Sequence, residues 1–305
     1  MLHAYWVELF GIFEPRSRRR LGSKIIGQVN WFMGSLGSDR VLSARSPQVF
    51  LARVRSAVLF LIPLSLLVVI WSFVVNVFEI NPRIFPSVAS VWQAGVDSVV
   101  DGTLVRHIGA SLWRIAVGTT IGLAIGIPLG IAMGVIPAIA SFFNPLVRFF
   151  SVLAGIAWIP IATLWFGYGF GAITFVIFNA VFFVVAYNAL LGVSSIPMQV
   201  RHAAASLGAG RVAMIFEVLL PGALPNIVTG VRTGMGFAWR GLIAAEMIAT
   251  DRGLGYMLFT ARDFYKTEVI VLGMVVIGLI WLALDRLLLA PLERVTTERW
   301  GMVGS

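Results

Sequence analysis

The side chains most able to do chemistry sit in an apolar run: Arg232, Trp239, Arg240 and Glu246 all fall between residues 229 and 249. A charge at that depth calls for a reason. Arg232 is close to one end and can extend its head group outward, or pair with Asp285 at the same end of a later apolar run. Arg240 is deeper, where an arginine costs about 2.5–3.5 kcal/mol unless it faces protein or water. Its guanidinium could attract an oxyanion through charge-assisted hydrogen bonds, with Trp239 and Glu246 on the same path wall, or it could tie its helix to neighbouring ones. On an ideal helix Arg240 and Glu246 are about 120° apart, which disfavours a direct pair.

Catalytic constellations are missing from the sequence. The three histidines, His3, His107 and His202, have no metal-ligand spacing, and neither HExxH nor GxSxG occurs. No glycine precedes Lys24 or Lys266, so there is no G-x4-G-K-[ST] loop for nucleotide phosphates. With no cysteine, disulfides and thiolate metal sites are excluded. Residues 202–225, HAAASLGAGRVAMIFEVLLPGALP, suggest partner docking instead. Helix formers flank Gly208, which can take positive φ and turn the chain, and Pro221 and Pro225 are expected to end the second piece. The alanines leave a helix face with little bulk, suited to another protein's groove.

The elements that hold these residues are set by the solvent. Of 305 residues, 59% are hydrophobic and 12% charged, too little polar surface for a water-soluble body of this size. A net charge of +9 on such a chain reads as contact with anionic lipid rather than nucleic acid. Six segments approach the ~20 apolar residues that a crossing helix needs: 57–78, 115–136, 149–166, 172–193, 229–249 and 269–289. The expected fold is therefore all-α, a polytopic membrane bundle of six transmembrane helices. It has a basic segment at 1–56, a transmembrane domain at 57–290, a connecting loop at 194–228 and a tail at 291–305. Segments 2–13 and 25–37 read as short helices on the membrane surface. AYWVELFGIF carries Glu8 and is followed by EPRSRRR, the reverse of a signal peptide's charge order.

Charge bias orients the bundle. Nine Lys and Arg precede the first span and six more fall in the loops and tail on the same side, against six opposite. Both termini, and with them the 194–228 loop, are expected in the cytoplasm. In the second span Gly118, Gly122, Gly126, Gly130 and Gly134 recur every four residues, a strip that winds about 40° per step and lets another helix come close, while Pro128 should kink it. Ser87 is positioned to cap a helix lying outside, which could help dock an external protein.

The spacing Ala203-Ala204-x3-Gly208-x9-Val218-x-Leu220-Pro221 resembles the EAA loop, E-A-A-x3-G-x9-I-x-L-P, of the permease subunits of bacterial ABC importers. His202 stands where that family has glutamate, and Val218 where it has isoleucine. Residues 103–136, 144–169, 230–258 and the closing DRLLLAPLERVTTERWG are similar to the nitrate/sulfonate/taurine group of these permeases, so the likeness covers about residues 80–301. It implies a type I importer fold in the plasma (inner) membrane, with His202 to Pro221 coupling to cytoplasmic ATPase subunits. Those subunits would bind ATP and Mg, and this chain would need no cofactor. It further implies a second permease copy, an external solute-binding protein, and a small anion such as sulfonate, taurine, nitrate or bicarbonate as solute. A self-sufficient ion-coupled carrier is the alternative, and it would require inverted repeats that the sequence does not display.

Overall fold

The computed structural model describes residues 62–63, 65–79, 81–153 and 155–299. The expected surface segments 2–13 and 25–37, and the start of the first span at 57–61, lie outside these residues. The described residues form helices joined by turns, with no strand among them. Residues up to Trp71 belong to one unit and Ser72–Ser305 to another. The apolar helix α1 (Ser65–Val77) begins in the first unit and ends in the second.

Helix α2 (Val88–Val100) opens where Ser87 accepts the Ser90 N–H at 3.1 Å, as the sequence leads one to expect. Gly102, at φ 69°, turns the chain into α3 (Thr103–Val135). The second span thus opens at Thr103 rather than 115, and the helix runs on through Pro128.

The glycine strip of α3 is seated on α6 (Phe170–Ser194). A Cβ on Gly118 would lie 2.7 Å from Ile177 Cβ, one on Gly130 2.4 Å from the Ala186 carbonyl oxygen, and one on Gly134 2.5 Å from Val193 Cβ. Contacts advance in the same direction on both helices, so α3 and α6 run parallel. The chain between them must therefore cross back once.

That return is not the single helix expected at 149–166. It is α4 (Pro137–Val152), a short 3-10 turn (Gly155–Trp158) and α5 (Ile159–Phe166), with the two arms bent 100° apart. Leu153 is extended, and Pro160, with its preset φ, starts the second arm. Gly167 and Gly169, at φ 71° and 115°, then turn the chain into α6.

Helix α6 is the axis of the fold, buried against α3 on one side and against α8 on the other. A short helix, α7 (Met198–Ser206), follows it, and then α8, which runs from Arg211 to Ile248 without a break. The expectation that Pro221 and Pro225 end a helix is corrected here. Residues Met214–Leu219 form a wider π-type turn directly before Pro221, which accommodates the missing N–H and the ring without stopping the helix. Gly192 meets Ala223 and Gly234 meets Val181, so α8 is antiparallel to α6.

Helix α9 (Leu254–Asp263) leads to α10 (Thr267–Leu284), which continues through a π-type turn at Asp285–Leu289 into α11 (Ala290–Arg299). Arg232 meets Asp285 and Trp239 meets Trp281, so α10 is antiparallel to α8. Directions alternate from α3 through the bent pair, α6 and α8 to α10, giving five crossings among the described residues. Only Gly273 of α10 is buried; Met274, Val275 and Leu279 are exposed, an apolar face suited to lipid or another subunit.

Candidate functional site

The hairpin between α6 and α8 is built by local chemistry. Gly208 N–H donates to the Ala205 carbonyl at 3.0 Å and Ala209 N–H to that of Ala204 at 3.0 Å, the double closure of a helix end with Gly208 left-handed at φ 87°. A Cβ at Gly208 would meet nothing within 4 Å, so conformation alone calls for glycine there. His202 and Ala203 are exposed and Ala204 half-buried; Val218, Leu220 and Pro221 are half-buried where the hairpin joins α8. The ridge stands out for its apolar side chains: Leu207 is 90% exposed, Val212 70% and Phe216 63%. An Arg201 Nη atom donates to the Val193 carbonyl and ties α7 to the end of α6.

Glu246 does not lie on a path wall. It is fully buried two residues before the end of α8, and both of its oxygens are occupied. Arg114 of α3 donates to Oε1 at 2.8 Å, the Ser111 hydroxyl lies 2.8 and 2.9 Å from the two oxygens, and Gly255 N–H donates to Oε2 at 3.1 Å. Arg114 also donates to the Arg252 carbonyl and the Thr250 hydroxyl, at 2.6 and 2.9 Å. Leu254 N–H reaches Ser111, and Gly253 N–H reaches His107 Nδ1 at 3.0 Å. The carboxylate therefore caps the start of α9 from another helix, where orphan amides and the helix dipole favour an anion. Gly253 and Gly255 make room for it: a Cβ on Gly253 would lie 2.3 Å from its carboxyl carbon.

Trp239 is also interior. It is 5% exposed and packs on Trp281 at a centroid distance of 6.2 Å. Arg232 forms the expected pair with Asp285 at 2.9 and 3.0 Å and also bonds Glu293. Arg240 is the one residue of the expected trio beside a cavity, a space of about 290 Å³ lined also by Phe150, Asn179 and Phe237. Among the described residues no hydrogen bond or ion pair engages its guanidinium.

Local sequence does not mark Arg114, Ser111 and Glu293 as partners of these charges. A lone carboxylate in an apolar run signals that a partner is needed, but Arg114 is 132 positions from Glu246 and lies just before the apolar run that starts at 115. Asn179 is signalled only by its polarity within the apolar α6.

The family described as "Binding-protein-dependent transport system inner membrane component" matches residues 126–290. The taurine transport system permease protein TauC of Escherichia coli (strain K12) is 37% identical over 238 residues, which are 76% of this chain and 86% of that protein. The nitrate import permease protein NrtB of Leptolyngbya laminosa is 29% identical over 264 residues, 83% of this chain and 95% of that one. A similar solved structure, an inward-facing conformation of the MetNI methionine ABC transporter, gives a TM-score of 0.56 at 22% identity. It covers 65% of this chain and 98% of that chain, a likeness of fold.

Proposed function

This chain belongs to the family of binding-protein-dependent transport system inner membrane components, and on that premise we propose that it forms the path of a small anion in an importer driven by a cytoplasmic ATPase. A subunit of this kind spans the membrane and is not itself an enzyme. The observation that carries the coupling is the hairpin at Gly208, whose apolar ridge of Leu207, Val212 and Phe216 is exposed and whose second arm continues without a break into α8. Exposed apolar side chains at the end of a membrane helix would be costly in water and gain by seating in a partner's cleft.

In this reading His202, Ala203, Ala204 and Gly208 enter the ATPase, while Val218, Leu220 and Pro221 join the hairpin to α8. ATP and Mg are bound by the ATPase. Two copies of the chain assemble around the path, an external protein delivers the solute, and both termini face the cytoplasm in keeping with the charge bias. The anionic solute is supported by Arg240 beside its cavity and by the taurine and nitrate relatives.

The test is to purify the full chain in lipid nanodiscs from its native membrane and measure ATP hydrolysis. An ATPase subunit should co-purify, and a Gly208→Cys variant should react with impermeant thiol reagents only from the cytoplasmic side. Solute uptake by the chain alone, or labelling of that cysteine from outside, would overturn the proposal and favour an ion-coupled carrier.

A further inference from the structure

Three arginines belong to the membrane-spanning helices, and they are treated differently: Arg114 is buried, Arg232 half-buried and Arg240 exposed beside its cavity. Arg114 has Glu246, and Arg232 has Asp285 and Glu293. Arg240, eight residues beyond Arg232 and eight before the end of α8 at Ile248, lies about 12 Å from each, near the middle of a ~30 Å hydrocarbon layer. It has no carboxylate. A second copy of the chain would not bring one: the only acidic residues in the six expected spans are Glu246 and Asp285, and both are engaged. An anionic group entering the cavity would therefore find the Arg240 donors uncommitted.

Asn179 of α6 shares the same cavity. Its Nδ2 donates to the Phe175 carbonyl at 2.9 Å, which fixes the orientation of the amide, since an oxygen there would face another oxygen. The Oδ1 is left without a donor among the described residues, at the cavity wall. The cavity thus presents donors without an acceptor at Arg240, an acceptor without a donor at Asn179, and aromatic rings at Phe150 and Phe237. A solute with oxygens only, such as an inorganic oxyanion or a simple alkyl sulfonate, would satisfy Arg240 but displace water from the Asn179 oxygen without replacing its hydrogen bond, which is unfavourable.

We infer that this cavity is a solute subsite for a small molecule with an anionic oxygen group that also carries a hydrogen-bond donor, its oxygens held by Arg240 and its N–H or O–H by the Asn179 amide oxygen. The volume, about 290 Å³, falls at the lower end of the range for ligand pockets and suits a molecule of a few heavy atoms. The rings of Phe150 and Phe237 suit a short apolar body, and an ammonium donor would gain further from their faces. This inference rests on the permease reading and assigns Asn179 the role of a specificity-determining residue.

The test uses saturation-transfer NMR on the full chain in nanodiscs with three two-carbon sulfonates of equal size: taurine with an ammonium donor, isethionate with a hydroxyl, and ethanesulfonate with neither. Taurine or isethionate should bind about tenfold more tightly than ethanesulfonate, and the tighter of the two identifies the donor as ammonium or hydroxyl. Asn179→Leu should erase that difference, whereas Arg240→Gln should weaken all three together. If Asn179→Leu fails to fold, Asn179→Gln, which keeps an amide but displaces it, should narrow the difference. Equal binding of the three by the wild-type chain, a ranking unchanged by the Asn179 variant, or no binding at all would overturn the inference. ATPase co-purification would be unaffected by any of these results, so the permease reading is judged separately.

Discussion

Exchange of Glu246 for leucine isolates the buried charge cluster at the end of α8. The carboxylate is fully enclosed and receives Arg114, Ser111 and the Gly255 amide at 2.8–3.1 Å. Its removal leaves a guanidinium buried against only the Arg252 carbonyl and Thr250, and an amide at the start of α9 without an acceptor. Breaking one side of such a pair costs about 3–5 kcal/mol. Replacing both partners, Arg114→Met with Glu246→Leu, removes the stranded charge, and exchanges of that kind range from neutral to stabilising by about 1–4 kcal/mol. The Gly255 N–H stays bare at about 1–3 kcal/mol, so the double variant should lie within about 2 kcal/mol of wild type. Thermal inactivation half-lives in nanodiscs, read by size-exclusion fluorescence as a double-mutant cycle, provide the measurement. A double variant as unstable as the two single losses added together would refute the coupling and with it the account of Glu246 as the cap of α9.

Gly130→Leu should lower the unfolding temperature through a loss of about 1–3 kcal/mol, because even its Cβ would lie 2.4 Å from the Ala186 carbonyl oxygen. Gly109→Ala, on the same helix with nothing within 4 Å, is the control and should be neutral by the same thermal measurement. Leu207→Asp, at a position 90% exposed, should leave thermal unfolding unchanged but remove the co-purifying ATPase. Arg232→Gln should cost less than about 1 kcal/mol in the same unfolding assay, since its side chain is 40% exposed and screened by water.

Features written into local spacing were legible in the sequence. The four-residue glycine recurrence of α3 foretold a close helix contact, Gly208 foretold a left-handed turn, Ser87 a cap, and Arg232 with Asp285 a pair at one depth. Features that depend on distant residues were not. The 100° bend between α4 and α5 leaves apolar content unchanged, so hydropathy alone reads one short span there. The π-type turn before Pro221 carries no signature of its own, and the prolines read as stops. The trio on the expected path wall was divided because depth along α8 is visible from sequence whereas facing direction is set by packing: Trp239 turns to α10, Glu246 to α3 and α9, and Arg240 to open space.

Helix α8 is 38 residues long, a continuous helix of about 57 Å. It starts three positions after Gly208 and ends two after Glu246, so the ridge and the buried cap of α9 are fixed to opposite tips of one body. A tilt of about 5° about its midpoint would sweep each tip through an arc of about 2–3 Å, in opposite directions. Arg240 sits in its outer half, about 16 Å from the midpoint, and would move through a little over half of that arc. Force applied at one face of the membrane would therefore be carried to the far face and would shift the guanidinium along with it.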